Sequence, residues 1–258
     1  MHLRELWAQK TPTLGAWLTV ASSTIAEATA RVGFDYVCAD NQHGALDYQA
    51  TVAMVQGVLL GGSRPIARVP WNEPGVIGKM LDAGCEGLVV PMVNSVEEAE
   101  AVVRACRYPP LGARSFGPVL AGIRHDRYWR NANDTVAVIP MIETAQALRN
   151  IDSILAVPGV DAIYVGPADL SLSLGLPPGN NDDRTEFADA LATIVASCRN
   201  AGVVPGIHST GALAAKRVEQ GFMMVTVTSD LVAMQVRMTQ ELAQAKESGG
   251  STPSGSMY

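Results

Sequence analysis

The sequence alternates short apolar runs with segments of helical periodicity along almost its whole length. The runs are rich in Val and Ile and apolar at consecutive positions, as in strands of a parallel sheet that is covered on both faces. We therefore predict strands at Leu14–Val20, Phe34–Ala39, Pro65–Val69, Gly87–Val90, Val136–Ile142, Ala162–Val165, Val203–Ile207 and Met223–Val227.

The segments between these runs have the spacing of amphipathic helices. Apolar residues recur every three or four positions in 95–106 and in 185–198. The first of these opens with Ser95 and Glu98 at the spacing of a capping box, which predicts where that helix begins. Glycines that end helices are expected just before three of the strands, at Gly33, Gly202 and Gly221.

Strands that alternate with helices predict a parallel α/β fold, and eight strands favour a single (β/α)8 TIM barrel over residues 1–247. A doubly wound open sheet is the alternative, but no G-x-G-x-x-G follows a predicted strand. The segment 107–135 has no clear period and is predicted to be a long ordered loop. Residues 230–246 are expected to form a helix, and the small, polar residues 248–258 a disordered tail.

The composition excludes several classes of protein. Apolar residues make up 48% of the chain and charged residues 17%, which excludes an intrinsically disordered chain. The net charge is −6 with no basic cluster, so we expect no nucleic-acid partner. No apolar stretch reaches the ~18 residues of a membrane span, and the charged N-terminus lacks a signal core. Widely spaced cysteines indicate reduced thiols and a cytoplasmic protein, at Cys38, Cys85, Cys106 and Cys198.

Polar side chains stand where four of the predicted strands end. Asp40 and His43 follow the second strand, Arg68 lies near the end of the third, and Glu143 and Asp169 follow the fifth and sixth. Because the carboxyl ends of barrel strands meet on one face, where barrel enzymes place their chemistry, we expect these side chains to converge.

This combination suits enolate chemistry on a 2-oxo acid. Two carboxylates fit a hard divalent cation such as Mg²⁺ or Mn²⁺, which can polarise a carbonyl group. An Arg beside them can hold a carboxylate through two hydrogen bonds, and a His can move a proton near neutral pH.

Each of these residues also has a structural interpretation. Glu143 fits the first turn of a helix, Asp169 a helix N-cap, Arg68 an ion pair and His43 a loop. Asp82 lies at a predicted helix end, where a negative charge is unfavourable, so a partner is expected. That partner is either a catalytic histidine, which the carboxylate orients, or a cation such as Lys79 or an Arg.

In order and combination, the motifs resemble those of the HpcH/HpaI aldolase family, the metal-dependent class II pyruvate aldolases. The resemblance extends from about residue 5 to about residue 245. Its motifs are Gly33-Phe34-Asp35-x5-Asn41-Gln42-His43-Gly44, Arg68-Val69-Pro70-Trp71-Asn72, Leu81-Asp82-Ala83-Gly84, Val90-Pro91-Met92-Val93, Tyr108-Pro109-Pro110-x-Gly112-x-Arg114, Ile142-Glu143-Thr144 and Gly166-Pro167-Ala168-Asp169-Leu170-Ser171.

The resemblance implies a (β/α)8 barrel and a role for each candidate residue. Glu143 and Asp169 would ligate the metal, which is Mg²⁺, Mn²⁺ or Co²⁺ in such enzymes. Arg68 would bind the pyruvate and stabilise its enolate, and backbone groups would hold the substrate carboxylate at Gly166, Pro167 and Ala168. His43 would be the acid/base group.

The resemblance also implies a carboxylate that supports His43 in its acid/base role, and an oligomeric assembly of the chain. The carboxylate would be that of either Asp40 or Asp82. The family assembles as hexamers, trimers of dimers, that exchange a C-terminal helix, for which 230–246 is the candidate. Two positions depart from many members, Gln42 in place of Glu and Met141 in place of Gln, and neither removes a ligand.

The reaction implied is reversible aldol cleavage of a 4-hydroxy-2-oxo acid to pyruvate, or a related 2-oxo acid, and an aldehyde. A Schiff-base route is disfavoured because no lysine stands at a strand end, the four being Lys10, Lys79, Lys216 and Lys246. The alternatives are an acyl-CoA lyase of the citrate-lyase β type, an oxaloacetate decarboxylase and a non-catalytic metabolite-binding barrel.

Overall fold

A computed structural model describes residues 1–247, and the predicted tail at 248–258 lies outside the described residues. Its strands are β1 (Thr13–Leu18), β2 (Tyr36–Asp40), β3 (Arg64–Arg68), β4 (Gly87–Val90), β5 (Ala137–Pro140), β6 (Ala162–Val165), β7 (Val204–His208) and β8 (Met224–Ser229). All of them overlap the predicted runs.

The strands form one parallel sheet that curls into a barrel. Neighbours follow the order β5-β4-β3-β2-β1-β8-β7-β6. Met141, just after β5, makes a parallel bridge to Tyr164 in β6, so the two edge strands also meet. The prediction of a (β/α)8 barrel is thereby confirmed, and the open doubly wound sheet is excluded.

Helices connect every pair of consecutive strands. Within residues 1–247 they are α1 (Leu3–Ala8), α2 (Ser23–Arg31), α3 (Tyr48–Leu60), α4 (Pro74–Ala83), α5 (Val96–Cys106), α6 (Val119–Arg124), α7 (Tyr128–Thr135), α8 (Ala145–Arg149), α9 (Ile151–Leu155), α10 (Pro167–Ser173), α11 (Thr185–Ala201), α12 (Gly211–Gln220) and α13 (Asp230–Glu247). No helix of the described residues is long and apolar enough to span a bilayer.

The prediction of one long loop over 107–135 was wrong, because α6 and α7 lie within it. Each is short and buries a single residue, Ala121 or Ala132. Two short helices with one buried contact each leave no repeating apolar pattern in the sequence.

The observed helices begin or end at the predicted residues where a capping residue is present. Ser95 Oγ accepts a hydrogen bond from Glu98 N at 3.3 Å at the start of α5, but the Glu98 carboxylate binds Asn94 N instead of Ser95 N. Only one half of the expected capping box therefore forms. Gly202 and Gly221 end α11 and α12 at φ values of 70° and 106°, which side chains disfavour.

Helix α1 packs against the end of the barrel at which the strands begin. Leu3 and Trp7 of α1 belong to the same buried cluster as the inward side chains Tyr36 and Ile66. Trp7 Nε1 donates to Thr13 Oγ1, at the first residue of β1, at 3.1 Å. Because α1 closes this end, the space for a ligand is left at the opposite end, where the strands finish.

Candidate active site

A cavity of about 370 Å³ opens at the carboxyl ends of the strands. Residues that follow β2, end β3 and follow β6 share its wall, as the sequence predicted. The predicted residues that line it are Asp40, His43, Arg68, Gly166, Pro167, Ala168 and Asp169.

Arg68 is held in the cavity by Asp40. Its Nε donates to Asp40 Oδ1 at 2.8 Å and its Nη2 to Asp40 Oδ2 at 2.6 Å. Burial opposes ionisation of Asp40, but this two-pronged pair outweighs it and holds the pKa of the carboxyl below its usual value. The guanidinium also lies over the Trp17 ring, 5.3 Å from its centroid. Nη1 has no partner in residues 1–247, so Arg68 keeps donors for a ligand.

His43 stands at the mouth of the cavity on the loop after β2. Asp40 Oδ1 accepts hydrogen bonds from Gln42 N at 3.1 Å and His43 N at 3.3 Å, which fixes the loop backbone. The imidazole itself is exposed. Asp40 therefore contacts His43 through the backbone, and its carboxylate oxygens are engaged by Arg68 rather than by the ring.

Asp82 lies outside this cavity. Its Oδ1 accepts a hydrogen bond at 2.7 Å from Nη2 of Arg114, whose side chain is 0% exposed. It lines a separate cavity beside α4. Within one chain, Asp82 has the arginine partner that was one of its two expected partners, and it does not reach His43.

Glu143 lies behind the cavity wall, 2% exposed, in the turn between β5 and α8. It precedes the N-cap Thr144, so it does not belong to the first helical turn. Its Oε1 accepts a hydrogen bond at 2.8 Å from the backbone of Met92, whose φ of 57° is strained for a side-chain-bearing residue. Burial, together with the nearby Asp169, raises the pKa of Glu143 to about 7, although the Met92 bond and Arg68 oppose the shift.

The surroundings of Glu143 fit a divalent cation. Its Oε2 is buried and has no hydrogen-bond partner in the described residues, which is costly for a carboxylate unless a ligand satisfies it. Gly166 approaches so closely that a Cβ at this position would lie 2.5 Å from that oxygen. Asp169 adds the second carboxylate from the first turn of α10. Two protein carboxylates, with water or substrate completing the shell, suit a hard cation such as Mg²⁺.

The structure adds cavity residues that the sequence analysis did not select, among them Trp17, Tyr164 and His208. Trp17 stacks on Tyr164 at 5.3 Å between ring centroids, and the ring of His208 lies perpendicular to Trp17 at the same centroid distance. His208 ends β7, so the rule that located Arg68, polar residues at strand ends, could also have found it. Trp17 and Tyr164 carry no such signal, because aromatic residues are ordinary inside a strand.

The loop between α10 and α11 completes one side of the cavity through Gly179 and Asn180. Arg217 of α12, fully buried, holds this loop from behind. Its Nη2 donates to Asn180 Oδ1 at 2.7 Å, and its Nη1 donates to Asp182 Oδ1 at 2.7 Å. This wall is therefore anchored by a buried ion pair.

Comparison with known proteins identifies the family of the chain. The model of the family described as HpcH/HpaI aldolase/citrate lyase matches residues 13–235. The chain is 37% identical over 246 residues to a hydroxypyruvate/pyruvate aldolase of Rhizorhabdus wittichii, covering 95% of this chain and 98% of the relative. It is 40% identical over 224 residues to a 4-hydroxy-2-oxo-heptane-1,7-dioate aldolase of Klebsiella pneumoniae, covering 85% and 84%.

Solved structures show the same architecture. An HpcH/HpaI aldolase from Desulfitobacterium hafniense superposes with a TM-score of 0.88 at 29% identity, covering 98% of each chain. A family protein from Burkholderia cenocepacia gives 0.85 at 32% identity, covering 92% of this chain and 95% of that one. A citrate lyase beta subunit from Mycobacterium tuberculosis, at 16% identity and a TM-score of 0.56, shares the fold, covering 84% and 92%.

Proposed function

Since the chain belongs to the HpcH/HpaI aldolase/citrate lyase family and is an aldolase, we propose that it is a divalent-metal-dependent pyruvate aldolase. It would catalyse the reversible aldol cleavage of a 4-hydroxy-2-oxo acid to pyruvate, or a related 2-oxo acid, and an aldehyde. The single observation that carries the metal dependence is the buried, unpartnered Oε2 of Glu143, which lies against Gly166 and near a second carboxylate, Asp169.

Glu143 and Asp169 are the proposed ligands of the cation, which is Mg²⁺, Mn²⁺ or Co²⁺. When bound, the cation supplies Lewis-acid polarisation of the 2-oxo group. Both carboxylates come from turns at the ends of adjacent strands, so the barrel fixes their separation before the cation arrives.

Arg68 binds and stabilises the reacting 2-oxo acid. Asp40 occupies Nε and Nη2, which orients the guanidinium and leaves Nη1 free of partners within residues 1–247. An enolate oxygen gains negative charge as the carbon acid loses its proton, and a fixed cationic donor stabilises that charge more than the neutral ketone. The backbone at Gly166, Pro167 and Ala168 is proposed to hold the substrate carboxylate. Gly166 is the N-cap of α10 and Pro167, which has no N–H, is its first residue, so Ala168 supplies a backbone N–H that has no acceptor within the helix.

His43 is the proposed proton carrier. It is exposed at the cavity mouth, where an aldehyde would enter, and its loop is fixed by Asp40. A histidine in that position can protonate the new alkoxide during addition and remove the hydroxyl proton during cleavage. Asp82 is proposed to act on His43 only across a subunit contact, because within one chain it is paired with Arg114.

The test is proton exchange on pyruvate, which requires no choice of aldehyde. Metal-stripped protein is incubated with pyruvate in D₂O, and the methyl signal is followed by NMR with and without Mg²⁺ or Mn²⁺. We expect metal-dependent loss of the signal, which Glu143→Gln abolishes while Glu97→Gln, an exposed carboxylate of α5, leaves it intact. Absence of exchange by folded, metal-loaded protein would favour the acyl-CoA lyase or the non-catalytic barrel.

A homo-oligomer is proposed from α13. Its Asp230 carboxylate accepts hydrogen bonds from Thr19 N and Val20 N, both at 2.9 Å, which anchors the helix to the barrel. Beyond that anchor no residue of α13 is buried. The exposed apolar side chains are Leu231, Val232, Met234, Val236, Met238 and Leu242. So many exposed apolar side chains on one helix indicate that another surface covers it.

We propose that a second copy of the chain covers α13, by helix exchange within a hexamer that is a trimer of dimers. Sedimentation velocity tests it with the double variant Met238→Glu and Leu242→Glu, which should reduce the particle mass. The matched control is Gln240→Glu, which adds a charge to the same helix without removing an apolar side chain. A cytoplasmic location is proposed because all four cysteines are free and buried.

A further inference from the structure

His208 lines the same cavity and is less exposed than His43 at its mouth. It is the last residue of β7, and its ring lies perpendicular to the ring of Trp17, the same indole that lies beneath Arg68. The exposed residues of the cavity, His43 and Asp169, stand at the mouth, whereas Trp17 is only 3% exposed. A ligand bound to Arg68 is therefore flanked by His208 on its inner side.

The hydrogen bonds below the cavity define which nitrogen of His208 carries its proton. Tyr164 donates its hydroxyl proton to Thr226 Oγ1 at 2.6 Å, so the tyrosine oxygen can only accept from another partner. His208 Nδ1 lies 3.4 Å from that oxygen and must supply the proton of this long contact. We assign the Nδ1–H tautomer on this network. Nε2 then bears a lone pair and has no partner within residues 1–247.

The charge state agrees with this assignment. Burial, and after it the neighbouring Arg68, lowers the pKa of His208 to about 4, although Asp40 opposes the shift. The ring is therefore neutral at physiological pH. A neutral imidazole whose unpartnered nitrogen is an acceptor complements a hydroxyl group and does not complement a carboxylate, which is itself only an acceptor.

We propose that Nε2 of His208 accepts a hydrogen bond from a hydroxyl group on C3 of the 2-oxo acid, and so makes the site selective for 3-hydroxylated 2-oxo acids over pyruvate. The inference rests on the proposed function, because it is the bound 2-oxo acid that fills the inner cavity. The acceptor aldehyde approaches from the mouth, where His43 stands, so its substituents lie farther from His208. His208 is in this sense a specificity-determining residue and takes no part in the bond-making step.

The experiment compares two 2-oxo acids that differ only in this hydroxyl group. Hydroxypyruvate and pyruvate are each incubated in D₂O with the Mn²⁺-loaded protein, and exchange at C3 is measured as kcat/KM against a protein-free blank. The variants are His208→Leu, which removes the acceptor, and His208→Gln, which can restore it through its amide oxygen. His125→Leu is the control, since His125 lies in a separate cavity with His2 and Glu86.

In His208→Leu we expect the ratio of kcat/KM for hydroxypyruvate over pyruvate to fall about tenfold, as for the loss of one neutral hydrogen bond. His208→Gln should recover most of that ratio, and His125→Leu should leave it unchanged. An unchanged ratio in His208→Leu would overturn the proposal. So would an equal fall for both acids, which indicates a structural role.

Calorimetric binding separates this proposal from the proposed function. The same two acids are titrated into Mn²⁺-loaded wild-type protein and His208→Leu, and the ratio of their dissociation constants is compared. If no metal-dependent exchange occurs with either acid, the aldolase function fails, yet a hydroxypyruvate preference that disappears in His208→Leu still supports the role of His208. Equal affinities for both acids in the wild type would refute it.

Discussion

Replacement of Gly166 by alanine tests whether the close approach of the backbone to Glu143 creates the cation site. The ideal Cβ at this position lies 2.5 Å from Glu143 Oε2 and 3.0 Å from Met141 Cε. The backbone of Gly166, with φ −92° and ψ 98°, is accessible to alanine, so the contact alone is perturbed. Ordinary contact begins at 3.4 Å, so the carboxylate must move by about 0.9 Å. That displacement exceeds the roughly 0.2 Å tolerance of a metal–ligand distance.

Two measurable losses follow from this displacement. Overpacking of a buried site costs about 1–3 kcal/mol of folding free energy, measured by urea denaturation of the metal-free protein. Misplacement of a ligand should weaken the affinity for Mn²⁺ by about 10–100-fold, measured by calorimetry, with a parallel loss of pyruvate exchange.

The matched control is Gly122→Ala in α6, where the added Cβ meets only Pro118 Cγ at 3.8 Å. Alanine in a helix should stabilise the protein by about 0.5–1 kcal/mol and leave the Mn²⁺ affinity unchanged. Native Mn²⁺ affinity in folded Gly166→Ala would refute the assignment of Glu143 Oε2 as a ligand.

Other perturbations address the substrate donor, the buried histidine and the anchored loop. Arg68→Lys should lose most of the pyruvate exchange rate, because an ammonium cannot bind Asp40 through two prongs and a ligand at once; near-native steady-state kinetics would contradict this. Since burial lowers the pKa of His208 to about 4, the unfolded chain binds a proton that the native chain does not between pH 6.5 and about 4. As the pH is lowered through this window, the free energy of unfolding of the wild type should therefore fall more steeply than that of His208→Gln, measured by urea denaturation at each pH. If the free energies of the two proteins change in parallel with pH, the lowered pKa of His208 is refuted. Arg217→Met leaves Asp182 without its bidentate partner and should cost about 3 kcal/mol in urea denaturation, whereas a cost near zero would show that the pair does not anchor the loop.

The strands and most of the candidate site follow from local sequence patterns. A covered parallel strand must be apolar on both faces, so the runs are visible in the sequence, and the barrel rule assigns polar residues at their ends to one face. This was sufficient to bring Asp40, His43, Arg68 and Asp169 to one cavity. The same logic failed for α6 and α7, because short helices with little buried surface produce no periodic signal.

The partners of charged residues could not be predicted. Asp82 was equally compatible with a histidine and with a cation, and its partner proved to be Arg114, thirty-two positions away. The bidentate contact between Asp40 and Arg68 joins two neighbouring strands whose register the sequence does not display. Long-range pairing depends on where the chain returns, which spacing along the sequence does not encode.

By itself, the sequence determined which segments are strands, which end of each strand carries polar side chains, and the class of chemistry those side chains support. These properties depend on residue type and on the local periodicity of apolar residues along the chain. Only the tertiary structure decided that Oε2 of Glu143 is left without a partner against Gly166, and that His208 lines the cavity with its Nδ1 near the Tyr164 hydroxyl. The physical reason is that burial and hydrogen-bond satisfaction belong to the packed arrangement of several strands, and no single stretch of chain specifies them.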